Sequence, residues 1–139
     1  MQSKKIFIAP DAFVAFLDRT DPKHLQAGAY FRYFSQEQYF LYTNPLVLSE
    51  VYNEISEMIS SVFAKEYMKA MSQSSINILY PEEADMKLAY KTLNESQDTS
   101  ITFQEIIMAS MAGRRDIPYI CTVGYLRPLF GLTPFYLPI

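Results

Sequence analysis

Lys5-Ile6-Phe7-Ile8-Ala9-Pro10-Asp11-Ala12-Phe13 is the stretch from which the fold is read. Ile6 to Ala9 form a short apolar run bounded by lysines on one side and by a proline and an aspartate on the other, the pattern of a buried strand. Asp11 then falls where that strand ends. In an open parallel sheet, ligands bind in the crevice beyond the carboxyl ends of the strands, so a carboxylate released there is placed for chemistry or for a metal. The same position also suits the N-cap of a helix beginning at Ala12. The choice between the two depends on what the rest of the chain brings to Asp11.

Working outward, strands alternate with helical pairs. Phe13, Phe16 and Leu17 recur at helical spacing, and Asp18 to Asp21 reads as a turn. Asp21 caps a second helix with Pro22 at its first position, running through Ala27, Tyr30, Phe31 and Phe34. Gln38 to Tyr42 favours a strand. Thr43-Asn44-Pro45 opens a third helix through Leu46, Val47, Val51, Ile55 and Ile59, and a fourth covers Phe63 to Met71. Ser75 to Tyr80 is a third strand. Pro81 to Asp85 starts a helix whose first-turn acids, Glu83 and Asp85, read as solvated and favoured by the dipole. Thr102 caps a helix from Phe103 to Ala112, and Gly113 ends it. Arg114 and Arg115 follow, where the dipole accounts for them. Ile117 to Thr122 is a fourth strand, with Pro118 placing its start near an edge or bulge. The tail from Phe130 to Ile139, interrupted by Pro134 and Pro138, can add a short edge strand. The expectation is an α/β three-layer sandwich with a central, mostly parallel sheet of four to five strands, forming one domain over residues 1–139.

Composition limits the chemistry. The chain has 139 residues, half of them hydrophobic, and a formal net charge of −3. Such a surface does not attract nucleic acid as a strongly basic domain does, so any RNA or DNA contact must come from a local patch. A single cysteine, Cys121, excludes an internal disulfide and a cysteine-based zinc site and fits a reducing compartment. His24, the single histidine, lies in a polar helix start expected to face solvent, and no Ser/His/Asp or Cys/His arrangement results. With no signal peptide and no apolar run near the ~20 residues of a membrane span, a soluble cytoplasmic protein without membrane contact is expected.

Three features line up with Asp11. Glu50 lies on an otherwise apolar helical run and shares a face with Leu46, Val47 and Glu54. Glu105 occupies the first turn of the helix capped by Thr102. Thr122 closes the fourth strand just ahead of Gly124. With these residues in place, the chain from Ile6 to Gly131 resembles the PIN domain, the small nuclease fold of VapC-type toxins in toxin–antitoxin pairs. Asp11 matches that family's strand-end aspartate, and Thr43 to Glu50 matches its threonine-led helix with a glutamate. Thr102-Phe103-Gln104-Glu105 corresponds to its S-F-T-D helix start, with glutamate in place of aspartate. Thr122-Val123-Gly124 keeps the threonine of T-x-D but has lost the aspartate, and Ala12 replaces the serine or threonine that usually follows the first acid. Phe130-Gly131 resembles the glycine-containing end of that last motif.

The resemblance implies an endoribonuclease that cuts RNA with Mg²⁺ or Mn²⁺ held by Asp11, Glu50 and Glu105, with Thr122 orienting water or a ligand. Cutting a phosphodiester with water calls for a hard cation on carboxylate oxygens, and Mg²⁺ tolerates little error in reach, so the missing acid and the longer Glu105 both count. Glu54, one turn beyond Glu50, is the best substitute by position, although its first reading is as an exposed helix acid. Asp116 precedes the fourth strand and belongs at the other end of the sheet. Arg127, just past Gly124, is placed either to contact RNA phosphate or as an ordinary surface arginine. The tyrosines (Tyr30, Tyr33, Tyr39, Tyr42, Tyr52, Tyr67) stack on bases or pack a core. A homodimer and an antitoxin partner are also implied. The alternatives are a PIN fold that has lost catalysis and serves as an RNA- or protein-binding module, and an interaction partner whose acidic pocket is a relic.

Overall fold

The computed structural model describes residues 3–98, 100–124 and 130–137. The first strand, β1 (Lys5–Ile8), is followed by helices α1 (Pro10–Leu17) and α2 (His24–Gln36) and then by β2 (Phe40–Thr43). Helices α3 (Pro45–Met58) and α4 (Ser61–Gln73) lead to β3 (Asn77–Ile78). Helices α5 (Glu83–Glu95) and α6 (Phe103–Arg114) lead back to β4 (Tyr119–Cys121), and β5 (Thr133–Pro134) comes last. All four strand pairings are parallel, in the order β3-β2-β1-β4-β5. Ile6, Phe7 and Ile8 are each fully buried, and since successive strand residues face opposite sides, helices cover both faces of β1. The α/β architecture with a central parallel sheet is therefore the one expected.

The strand order reverses at β1. The chain moves from β1 out to β2 and β3, then returns across the sheet to β4 on the other side of β1. A crevice opens at such a switch point, beyond the carboxyl ends of β1 and β4. The pairing continues past the formal end of β1, because Ala9 N–H donates to the Cys121 carbonyl at 3.0 Å. That bond holds Pro10 and Asp11 level with Thr122 and Gly124.

Several boundaries differ from expectation for local reasons. Asp11 is not an N-cap: Ala9 holds that position and Pro10 is the first helical residue, so Asp11 lies inside the first turn of α1. Asp21 makes a turn before α2, accepting Lys23 N–H on its side chain and His24 N–H on its carbonyl, so the helix starts two residues after Pro22. Gln38 has a left-handed φ of 57°, which delays β2 to Phe40. Within the expected Thr43-Asn44-Pro45 opening it is Asn44 that caps α3, its side chain accepting Val47 N–H at 2.8 Å. Gly113 does not end α6: the helix runs to Arg114, and Asp116, with φ 56°, makes the turn instead. The start of β4 is not at an edge, since β4 pairs with β1 on one side and β5 on the other. Tyr30, Tyr33 and Tyr39 belong to the core, packing with Phe34 around Phe135 of the tail. His24 does not simply face solvent; it is half-buried, with Nδ1 2.9 Å from the Ala15 carbonyl near the end of α1.

The largest departure concerns Asp85, which is fully buried rather than solvated. Its Oδ1 accepts from Arg114 at 2.7 Å and Arg115 at 2.9 Å, and its Oδ2 from Arg115 and from Glu82 N–H. Burial works to raise its pKa, but the hydrogen bonds from Arg115, Glu82 and Arg114 outweigh it and hold the carboxyl well below the usual carboxylate range. The two arginines are thus clamps between the end of α6 and the start of α5. A depressed pKa contributes stability that is present above the ordinary carboxylate pKa, near 4, and is lost as pH falls toward the folded value. Asp85→Asn is therefore expected to cost about 3–5 kcal/mol at neutral pH, because both guanidinium groups lose a buried partner. Urea unfolding of wild type and variant should show that gap shrinking below about pH 4.

Candidate active site

The side chain of Asp11 is fixed through one of its two oxygens. Oδ2 accepts from the Thr122 hydroxyl at 2.5 Å, from Gly124 N–H at 3.0 Å and from Val123 N–H at 3.2 Å. The last turn of backbone after β4 thus curls over the start of α1. Gly124 has no positive φ, and its lack of a side chain leaves Asp11 Oδ2 3.4 Å from where a Cβ would stand. The other oxygen, Oδ1, is buried and has no hydrogen-bond partner among the described residues. A buried carboxylate oxygen left unpaired is costly unless something completes it.

Beside Asp11 lies a cavity of about 220 Å³ lined by Asp11, Glu50, Thr102, Gln104, Glu105 and Thr122, with Val47, Met108 and Ile120 as its apolar wall. Each acid comes from a different element. Asp11 rides on α1, and Glu50 sits in the second turn of α3, aimed by the buried Asn44 cap, whose amide also reaches Met111 of α6 at 3.4 Å. Glu105 is in the first turn of α6. Burial raises the pKa of Glu50, helped by the negative charge of Glu54, Glu105 and Asp11. Partial desolvation of its carboxyl likewise raises that of Glu54, helped by Asp11 and Glu57. The lining holds no lysine or arginine among the described residues, so the acids reinforce one another's discomfort rather than being paired.

The four expected residues Asp11, Glu50, Glu105 and Thr122 thus meet at one cavity, with two corrections. Thr122 donates its hydroxyl to Asp11 Oδ2. Glu105 is turned back on its own helix: Oε1 accepts Thr102 N–H at 2.9 Å while Glu105 N–H donates to the Thr102 hydroxyl at 3.1 Å, a reciprocal capping box. No three acidic, histidine or cysteine groups among the described residues stand close enough to share an ion, so the expected bridging cluster is not preformed. The T-x-x-E spacing of Thr102 and Glu105 carried that signal in the sequence. The backbone donors of Val123 and Gly124 left none, since any residue supplies an N–H. Arg127 lies outside the described residues.

An all-oxygen donor set, an unpaired buried carboxylate oxygen and mutually repelling glutamates fit a hard divalent cation. Glu54, exposed on the next turn of α3, borders a neighbouring groove rather than the cavity.

With the geometry established, comparison with solved structures defines the class: the chain has the fold of a VapC-type PIN domain. It superposes on VapC20 of Mycobacterium tuberculosis, described as a toxin that cleaves the sarcin–ricin loop, with a TM-score of 0.75 over 85% of this chain and 88% of that one, at 16% identity. DNA-bound VapBC from Salmonella typhimurium gives 0.71 at 12% identity, and FitAcB from Neisseria gonorrhoeae 0.68 at 11%, each covering 94% of this chain and 96% of the other. Neither a family sequence model nor a curated protein sequence matches the chain. No helix among the described residues is long and apolar enough to cross a membrane.

Gly124 offers a direct probe of the site's charge. An aspartate there places a second carboxylate against Asp11, so in chelator the Gly124→Asp protein should melt below Gly124→Ala. Mn²⁺ should raise the melting temperature of the aspartate variant by several degrees more than that of the alanine variant. Equal Mn²⁺ responses, checked by calorimetric titration, would show that position 124 does not face the cation.

Proposed function

We propose that this chain is a divalent-metal-dependent endoribonuclease of the VapC toxin type. The observation that carries the reading is the cavity at the β1/β4 switch point, which Asp11, Glu50 and Glu105 line together and beside which Asp11 keeps a buried, unpaired Oδ1. Asp11 and Glu50 would hold Mg²⁺ or Mn²⁺, with Glu105 contributing the oxygen not engaged by Thr102. When bound, the ion lowers the pKa of the attacking water and offsets the charge of the phosphate. The protein's own part is positional. Thr122, Val123 and Gly124 immobilise Oδ2 and leave Oδ1 without a donor, and the Asn44 cap fixes the start of α3, the helix that carries Glu50. The capping box sets the start of α6 against the opposite wall.

An antitoxin partner and a homodimer belong to the same proposal. Two of the similar structures are VapBC and FitAcB, and exposed apolar side chains at the α3–α4 junction, among them Met58, Ile59 and Val62, offer surface for a protein partner. An antitoxin reading frame immediately upstream would accord with it.

The reading is tested on single-stranded and stem-loop RNA in Mg²⁺, Mn²⁺ and chelator. Cleavage is expected only with metal, to vanish in Asp11→Asn, and to fall about 10–100-fold in Thr122→Val, which loses a positioning hydrogen bond but no ligand. Circular dichroism should show both variants folded. Metal-independent cleavage, or none by the wild type at any metal concentration, would overturn it in favour of a binding module.

A further inference from the structure

A second depression adjoins the cavity and shares Glu50 and Gln104 with it. This groove, about 460 Å³, runs between α3 and α6 and is lined by Leu46, Ser49, Asn53, Glu54, Glu57, Phe103 and Ile107 besides those two residues. Its volume falls in the range of about 300–1,000 Å³ usual for ligand sites. Three glutamates and no lysine or arginine line it among the described residues, so it repels the phosphate backbone it adjoins. What such a groove can accept from a nucleic acid is the neutral part, a base.

The remaining lining suits a base. Phe103 forms one wall, and its ring is stacked on Tyr90 of α5 with centroids 5.5 Å apart and planes 24° from parallel. Tyr90 is 53% exposed, so the pair extends from solvent to the groove. Leu46 and Ile107 add apolar surface. Ser49 and Asn53 add a hydroxyl and an amide. Carboxylates accept hydrogen bonds from exocyclic amines, as from cytosine N4, and have nothing to offer a uracil O4.

We propose that this groove holds one unpaired base of the RNA strand, stacked on Phe103, and prefers a base bearing an exocyclic amine because Glu54 accepts from it. The inference rests on the reading of the neighbouring cavity as a phosphodiester-cutting site, and it makes the substrate a single-stranded or looped segment whose base is splayed out. Aromatic stacking supplies affinity where electrostatics cannot.

The test is binding of the wild-type protein to fluorescein-labelled oligocytidine and oligouridine pentamers in chelator, followed by anisotropy, beside the Mg²⁺ cleavage assay. Oligocytidine is expected to bind about tenfold more tightly than oligouridine. Glu54→Ala should erase that preference, and Phe103→Leu, which keeps an apolar side chain in the α5–α6 core, should weaken both by about tenfold. Tyr90→Ala, at an exposed position, serves as the second probe of the stack and should weaken both oligomers while the protein stays folded. Equal binding of the two oligomers, or variants indistinguishable from wild type, would overturn the proposal even if the enzyme cleaves RNA. A protein that discriminates in this way yet cuts nothing would leave the groove intact and remove only the catalytic reading.

Discussion

The hydrogen bond from Ala9 N–H to the Cys121 carbonyl is the constraint on which the site depends. It extends the β1–β4 ladder by one step beyond the strands, so that the residues leaving both are held side by side. From that step the chain after β1 enters α1 through Pro10, and the chain after β4 turns over it through Thr122 to Gly124. One aspartate oxygen is then clamped by three donors and the other is left unpaired and buried. Fixing a carboxylate by one oxygen is how a protein can present the other at low reorganisation cost when a charged ligand arrives.

The rest of the fold supports that geometry from two sides. On one side, the buried Asn44 caps α3 and touches Met111, tying the helix that carries Glu50 to the one that carries Glu105. On the other, Asp85 and its two arginines lock the end of α6 to the start of α5, while the N-terminus of α6 is set by the Thr102–Glu105 box and by Phe103 stacked on Tyr90 of α5. At that start Glu105 reaches back to the Thr102 N–H, and the same residue lines the cavity.

Much of this was legible in the sequence because its causes are local. An apolar run broken by Pro10 and Asp11 marks a strand end. The spacing of Leu46, Val47, Glu50 and Glu54 marks a helix face, and Thr122 ahead of Gly124 marks the close of another strand. What escaped depends on partners far away along the chain. Asp85 looks like a solvated first-turn acid until Arg114 and Arg115, some thirty residues later, fold onto it, and the same arginines look like dipole-stabilised end residues until Asp85 is placed. His24 meets Ala15 only because α2 packs back on α1. The direction of the Glu105 carboxylate is a local matter, and its T-x-x-E signature was visible. The competition between capping and ion binding was not.

The central claim is that Asp11 Oδ1 is the anchor of a cation site. It is tested most directly by anomalous diffraction from crystals soaked in Mn²⁺, compared with Asp11→Asn crystals soaked identically. The account predicts a single strong peak within coordination distance of Asp11 Oδ1, about 2.0–2.6 Å, with Glu50 as a further ligand and no peak in the variant. A peak of equal height in both crystals, or Mn²⁺ bound only away from Asp11, would contradict it.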